Sequence, residues 1–492
     1  MSPKSLGGRR LALLAVAGVS LSTAYACNEY DESLLVAGET GGTGGTADGG
    51  GGSGNAGSGG GPDKTPFWQH KADNGCDTEG VPTADQRPTT TDAADLPPLY
   101  LGLITMGFGS AKNDKPRTPD PEARKTIGFD LDGSCTDSAT CSGQASEPSC
   151  KNDMALPDGD ACRDNAFGAV ISRMAEIPEL LPYGYKESNW DCGLLHGEFL
   201  EIFKLTGYNG ELNDPQVRVD LYSSDGAEGL THAICGTTGN NAPSDWFDNV
   251  AWLEFDPFRV SSRYLTKQTG FDKGTLPDSI YADANAYVRN GYLIVQLPDP
   301  FEFWLSGERS FGQTAGIRLM IHRGVIAAKL ELDFQTENWS ITDGTLGGVI
   351  KPSEFITNLK EVGVCENLCG ADQPLLDFIN QRTDALLTGD PDPEAACDGL
   401  SLGMRFTAKE MLPGIIVDAQ VPAECSKVPS DAPPLNCGCP CTNMGGTGGT
   451  GGTGGTGGTG GTGGTGGTGG TGGASGGTGG TTGGAAGTGG SN

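Results

Sequence analysis

Residues 287–295 read YVRNGYLIV, an aromatic and β-branched run, then Asn290-Gly291, then a second such run. Asn-Gly tolerates the positive φ angles of a primed two-residue turn, so the stretch predicts a tight β-hairpin. Working outward, similar short apolar runs recur at Leu99–Phe108, Phe199–Leu205, Val217–Tyr222, Val250–Phe255, Ile317–Ile321, Val325–Phe334 and Leu400–Thr407. Most alternate and are bounded by turn residues, the mark of strands. Three helical patterns interrupt them. Asp164 is placed to cap a helix running to about Ile177. Ser353 precedes Phe355, Ile356, Leu359 and Val362 at helical spacing, and Asp372 precedes Leu375, Leu376, Ile379 and Leu386. The class is mainly β with a few helices (α+β), most economically a large antiparallel β-sandwich cross-linked by disulfides.

The most polar part of this region is 129–168, FDLDGSCTDSATCSGQASEPSCKNDMALPDGDACRDNAFG, with four cysteines and seven aspartates in 40 residues. It cannot form a core unaided and needs cross-links or a bound cation. Asp130 and Asp132 are two apart, as are Asp158 and Asp160, and Asp164 follows. Disulfides among Cys135, Cys141, Cys150 and Cys162 would hold these two aspartate-bearing segments together, so the five carboxylates are candidate calcium ligands. The pattern is not an EF-hand, since positions six and twelve from Asp130 are Cys135 and Cys141. PDGDACRDN is reminiscent of the aspartate-rich repeats of thrombospondin, in a single copy. The alternative makes these aspartates turn residues and helix caps. No other cofactor is called for.

The ends of the chain set its compartment. Lys4, Arg9 and Arg10 precede an apolar run, Leu11 to Ala26, ending Ala24-Tyr25-Ala26-Cys27; this is the layout of a signal peptide over 1–26, too short for a membrane span. Of the fifteen cysteines, Cys27 stands at the junction where an exported lipoprotein takes its lipid; ordinary cleavage after Ala26 is the alternative. The other fourteen are Cys76, Cys135, Cys141, Cys150, Cys162, Cys192, Cys235, Cys365, Cys369, Cys397, Cys425, Cys437, Cys439 and Cys441. An even number in an oxidising compartment predicts disulfides, with the pairing open. Neither Cys365–Cys369 nor Cys437–Cys441 has the paired spacing of a zinc site. Residues 27–64 read as an acidic then Gly-rich tether spanning about 30–35 Å if it is coil. Residues 442–492 are a low-complexity Gly-Gly-Thr tail, whose literal G-x-S-x-G at 473–477 lacks the strand and helix that such an elbow needs. The folded region is 65–441.

The formal charge of -30 opposes binding to nucleic acid or anionic lipid heads. Catalytic signals are sparse. The four histidines, His70, His196, His232 and His322, stand in no metal or triad spacing. Glu254 and Asp256 are weak candidates for a carboxylate pair, because in a strand they would share a face. Trp252-Leu253-Glu254-Phe255-Asp256 faintly resembles the E-x-D-x-x-E strand of laminarinase-like glycosidases, but Arg259 replaces the last Glu. Trp190, Trp246, Trp252, Trp304 and Trp339 offer faces for sugar stacking or for core packing.

FDLDGSC at 129–135, CRDNAFG at 162–168, AYVRNGYLIV at 286–295 and CDGLSLGMRFTA at 397–408 together resemble uncharacterised cysteine-rich exported lipoproteins of myxobacteria. That resemblance implies export and a tether but no activity. The functional expectation is an exported, lipid-anchored cell-envelope protein, foremost a surface binding or adhesion module that meets cell-surface polysaccharide or an envelope protein. A structural envelope component is the alternative, and glycoside hydrolysis a weaker one. The expected location is the outer membrane or cell surface by the N-terminal lipid, otherwise the periplasm or exterior.

Overall fold

Asn290 and Gly291 adopt φ angles of 53° and 81°, and Arg289 pairs with Tyr292, so the hairpin forms where Asn-Gly predicts it. The computed structural model of the chain describes residues 66–418, apart from 72–75, 90–92, 115–116, 138–145, 178–185, 229–249, 254, 268–274, 306–316 and 362–374. In chain order the elements are β1 (Gln69–Lys71), β2 (Asp77–Glu79), β3 (Leu99–Gly107), α1 (Ala166–Glu176), α2 (Glu187–His196), β4 (Leu200–Thr206) and β5 (Asp214–Ala227). There follow β6 (Phe258–Ser261), β7 (Ala282–Arg289), β8 (Tyr292–Gln296), β9 (Phe301–Leu305), β10 (Ile317–Asp333) and β11 (Asn338–Ile350). The last are α3 (Pro352–Glu361), α4 (Leu375–Gln381), β12 (Leu400–Glu410) and β13 (Ile415–Val417).

The fold is mostly β with a few helices, but the sheet closes on itself. Antiparallel pairings run β3-β4-β5-β7-β8-β10-β11-β12 and back to β3. This eight-stranded ring is a barrel, which corrects the expectation of an open two-sheet sandwich. The deciding element is the fourteen-residue β5. Its first half pairs with β7 and its second with β6, so one strand both closes the ring and carries an extension. Closure leaves the ring without the unpaired edges that a sandwich must protect. A bulge between His322 and Val325 likewise lets β10 pair first with β9 and then with β8.

Alternation along the strands builds two apolar faces. Leu293, Val295, Ile326, Ala328, Met404 and Phe406 join the principal core, in which Phe203 stacks on Phe406 with ring centroids 5.5 Å apart. Tyr287, Ile294, Ala327 and Val349 face the opposite way, where Trp68, Phe129, Leu131 and Ala385 cover them. The segment 127–131 is thus a strap on the barrel wall, with Phe129 and Leu131 as its anchors. Each contributes about 1.5–3 kcal/mol of burial. Glycines let it come close: a Cβ on Gly347 would lie 2.5 Å from the Phe129 ring, and one on Gly403 would lie 2.6 Å from the Ile127 carbonyl oxygen.

Three local expectations change. The described residues of 250–256, all but 254, form no strand, in place of the strand expected at Val250–Phe255. Asn165, not Asp164, caps α1, its Oδ1 accepting from the Gly168 amide at 3.1 Å. Ser353 lies inside α3 rather than at its cap. The disulfide expectation holds for two described pairs, Cys135–Cys162 and Cys150–Cys397; Cys76 and Cys192 are also disulfide-bonded. Cys27, Cys141, Cys235, Cys365, Cys369, Cys425, Cys437, Cys439 and Cys441 lie outside the described residues.

Candidate metal centre

The strap turns sharply after Leu131. Apolar Phe129 and Leu131 face the barrel, so by extended-chain alternation Asp130 and Asp132 face away from it together. Each then folds its own chain: Asp130 Oδ1 accepts from the Gly133 amide at 2.7 Å, and Asp132 Oδ1 from the Ser134 amide at 2.8 Å. Gly133 takes a φ of 73°, which a side chain would disfavour. The Cys135–Cys162 bridge draws the second aspartate-bearing segment alongside. There Asp164 donates its amide to the Phe129 carbonyl at 2.9 Å and accepts from the Leu131 amide at 2.7 Å through Oδ2. Thr136 and Asp158 bond reciprocally, amide to Oδ2 at 2.6 Å and amide to Oγ1 at 3.1 Å.

The result is a cluster in which one carboxylate oxygen each from Asp130, Asp132 and Asp164 lie within 4.8 Å of one another. Two oxygens on a single Ca²⁺ stand at most about 5 Å apart, twice the 2.3–2.6 Å bond length. The three are therefore spaced as ligands of one ion. Asp158 hydrogen-bonds to Asp164, and Asp384 adds its charge from the loop before β12. Ser149, 3% exposed, lies beside Asp132, and its hydroxyl is placed to hydrogen-bond that carboxylate. A cleft of about 560 Å³ between His70, Gly80, Gln296 and Arg323 opens onto Asp130 and offers a route in.

Burial of like charges perturbs every acid here. Asp130 is pushed up to about 8, chiefly by burial and then by the charge of Asp132. Burial likewise pushes Asp384 up to about 7 and Asp158 to about 6. Asp164 lies well above the carboxylate range, through burial and then the charges of Asp132, Asp158 and Asp130. Asp132 is also raised by burial, although the Arg323 guanidinium opposes the shift. Arg323 does not close on the carboxylates: it donates to the Leu131 and Leu386 carbonyls at 3.2 Å. Such a cluster holds protons, or it holds a cation that replaces them.

Four of the five aspartates named from sequence thus meet: Asp130, Asp132, Asp158 and Asp164. Asp160 does not. It is exposed, and its carbonyl accepts from Arg163 in a short 3₁₀ turn. Asp384 and Ser149 escaped sequence reading, Asp384 because it is some 220 residues away and stands in no metal-ligand spacing. Of the weak catalytic pair, Glu254 lies outside the described residues. Asp256 accepts from the Leu253 amide at 2.8 Å and closes a turn, so the shared strand face on which the pairing rested does not exist. His322 is bonded on both sides, Nδ1 to Asp299 at 2.7 Å and Nε2 to Glu354 at 2.9 Å, a tie between β10 and α3. Trp190, Trp252 and Trp304 are buried, Trp246 lies outside the described residues, and Trp339 is half-buried.

No protein-family model matches the chain, and no curated protein and no solved structure matches it.

Aspartates with raised folded pKa values stabilise the fold while protonated. Their contribution is complete below about pH 4, the unfolded value, and is lost as pH rises through about 6 to 8. Metal-free protein should therefore melt several degrees lower at pH 8.5 than at pH 5. Asp130→Asn should flatten that dependence. Thermal scans in EDTA across this range check it, and a melting temperature rising with pH would count against the cluster.

Proposed function

We propose that the chain is an exported cell-envelope binding module, anchored by lipid on Cys27, whose barrel is fastened by a structural Ca²⁺ between Asp130, Asp132 and Asp164. The observation that carries the cation is the convergence of those three carboxylates, one oxygen of each within 4.8 Å of the others. Asp158 is placed to complete the set, and water or a backbone carbonyl to bring the oxygen count to the six to eight that Ca²⁺ takes. Ca²⁺ is favoured over Mg²⁺ because an irregular, loop-built set of carboxylates suits its flexible coordination, whereas Mg²⁺ demands a near-ideal octahedron. Zn²⁺ is disfavoured by the all-oxygen donors.

The ion's role is structural. It neutralises the charge that the strap buries and joins the two aspartate-bearing segments that Cys135–Cys162 already links. Binding is the favoured function because a signal-peptide layout followed by a long Gly-rich tether suits a domain displayed to meet a partner. The resemblance to exported lipoproteins and the signal-peptide layout support export. None of the described helices is long and apolar enough to cross a membrane; the proposed lipid attachment rests on the place of Cys27 directly after the signal-peptide layout.

Millimolar Ca²⁺ should raise the melting temperature of the chelator-treated protein by several degrees at pH 8, and Asp130→Asn combined with Asp132→Asn should remove the rise. Mg²⁺ at the same concentration should do little. Identical melting with Ca²⁺ and with chelator would overturn the metal centre. For the anchor, wild-type protein should partition into detergent and Cys27→Ser into the aqueous phase; a wild-type chain that begins at Cys27 and stays aqueous would refute lipidation.

A further inference from the structure

At the end of the β10–β11 hairpin away from Arg323, about ten residues along β10 and on the order of 30 Å from the acidic cluster, lies a groove of about 390 Å³. Leu253, Phe255 and Trp339 line it together with Asn338, Ser340 and Glu410. Phe255 is 63% exposed and Leu253 52% exposed, and Phe334 in the neighbouring turn is 87% exposed. Such a concentration of exposed large apolar side chains costs solubility unless something uses it.

The groove is held firmly. The Trp339 ring meets Tyr208 edge-on with centroids 5.3 Å apart, and its amide donates to Glu410 Oε2 at 2.7 Å. Lys409 lies with Nζ 3.9 Å from the centre of the buried Trp252 ring and donates to the Trp252 carbonyl at 2.9 Å, fixing the loop that presents Leu253 and Phe255. Asp256 closes that loop's turn on the Leu253 amide. Two aromatic side chains, Trp339 and Phe255, are thereby offered at one groove.

We infer that this groove binds an uncharged oligosaccharide, with Trp339 and Phe255 as the stacking platforms. Three features choose that occupant. Aromatic rings with amide, hydroxyl and carboxylate neighbours match a pyranose, which has an apolar C–H face and a rim of hydroxyls. The acids Asp333 and Glu410 accept hydroxyl hydrogens; Lys409, which also lines the groove, is turned onto Trp252, so the two acids and the chain's net charge of -30 disfavour anionic polymers and phospholipid headgroups. The volume falls within the range of small-molecule clefts, about 300–1,000 Å³. The inference rests on the binding-module reading and adds to it a site and a ligand class.

The test uses the full mature chain with Ca²⁺ present. Neutral hexaoses of the cello-, laminari- and chito- series are titrated calorimetrically beside an anionic hexagalacturonate. At least one neutral hexaose should bind and the galacturonate should not. Trp339→Ala and Phe255→Ala should each weaken binding about tenfold or more, while the Ca²⁺-dependent melting shift stays as in wild type, showing that the barrel is intact. Failure of all neutral hexaoses, or binding indifferent to both substitutions, would overturn the inference. Capture of an envelope protein that survives both substitutions would also overturn this groove while leaving the binding module standing.

Discussion

The strap at 127–131, with the second aspartate-bearing segment that Cys135–Cys162 ties to it, brings together carboxylates that repel one another, and its seating on the barrel depends on how that repulsion is relieved. Two forces pull it into place. Phe129 and Leu131 bury themselves against Tyr287, Ile294, Ala327 and Val349, and the Cys135–Cys162 bridge joins its two limbs. The same seating carries Asp130, Asp132 and Asp164 into a space where an ionised carboxylate is poorly solvated. Protons relieve the repulsion at low pH; in the proposed site a divalent cation would do so at neutral pH and add bonds as well.

The barrel makes the arrangement possible because its ring of strands is closed. A closed ring fixes the spacing of β10, β11 and β12, and the strap reads that spacing through two glycines. Gly347 admits the Phe129 ring, and Gly403 admits the backbone at Ile127 and Gly128. Bulging of β10 at His322–Val325 sets Arg323 in a left-handed conformation, from which it reaches the Leu131 carbonyl. Cys150–Cys397, closing a separation of 247 residues, ties the far part of the strap region to the lead-in of β12. Chain-entropy arguments put such a long closure toward the upper end of about 2–5 kcal/mol. One end of the barrel is thus cross-linked, and the other presents Trp339 and Phe255.

Much of the wall was legible in the sequence because its strands alternate. The Asn290-Gly291 hairpin, Leu99–Gly107 and Leu400–Glu410 all carry the two-residue period that the structure uses. β11 was not legible: Gly344, Gly347 and Gly348 break its pattern, yet each sits where a Cβ would meet Phe406, Phe129 or Ile321. Barrel closure was also hidden, since no local signal reveals that one long strand will pair with β7 at its start and β6 at its end. α2 was missed because its glycine and polar residues leave no clear apolar stripe. In the candidate site, the two-residue spacing of Asp130 and Asp132 was informative because it survives in an extended segment. Asp160 misled because the chain at Ala161 and Cys162 takes positive φ and turns that carboxylate out to solvent.

The proposed site turns on one exchange, in which Ca²⁺ displaces protons from the strap's aspartates. Calorimetric titration of chelator-treated protein with CaCl₂ at pH 7.5, in two buffers of different ionisation enthalpy, reads the ion and the protons together. The account predicts one saturable site per chain, with a dissociation constant of roughly 0.1–1 mM, and release of about one proton or more per ion bound, because Asp130 titrates near 8. No saturable heat up to about 10 mM Ca²⁺, or binding with no proton released, would contradict it.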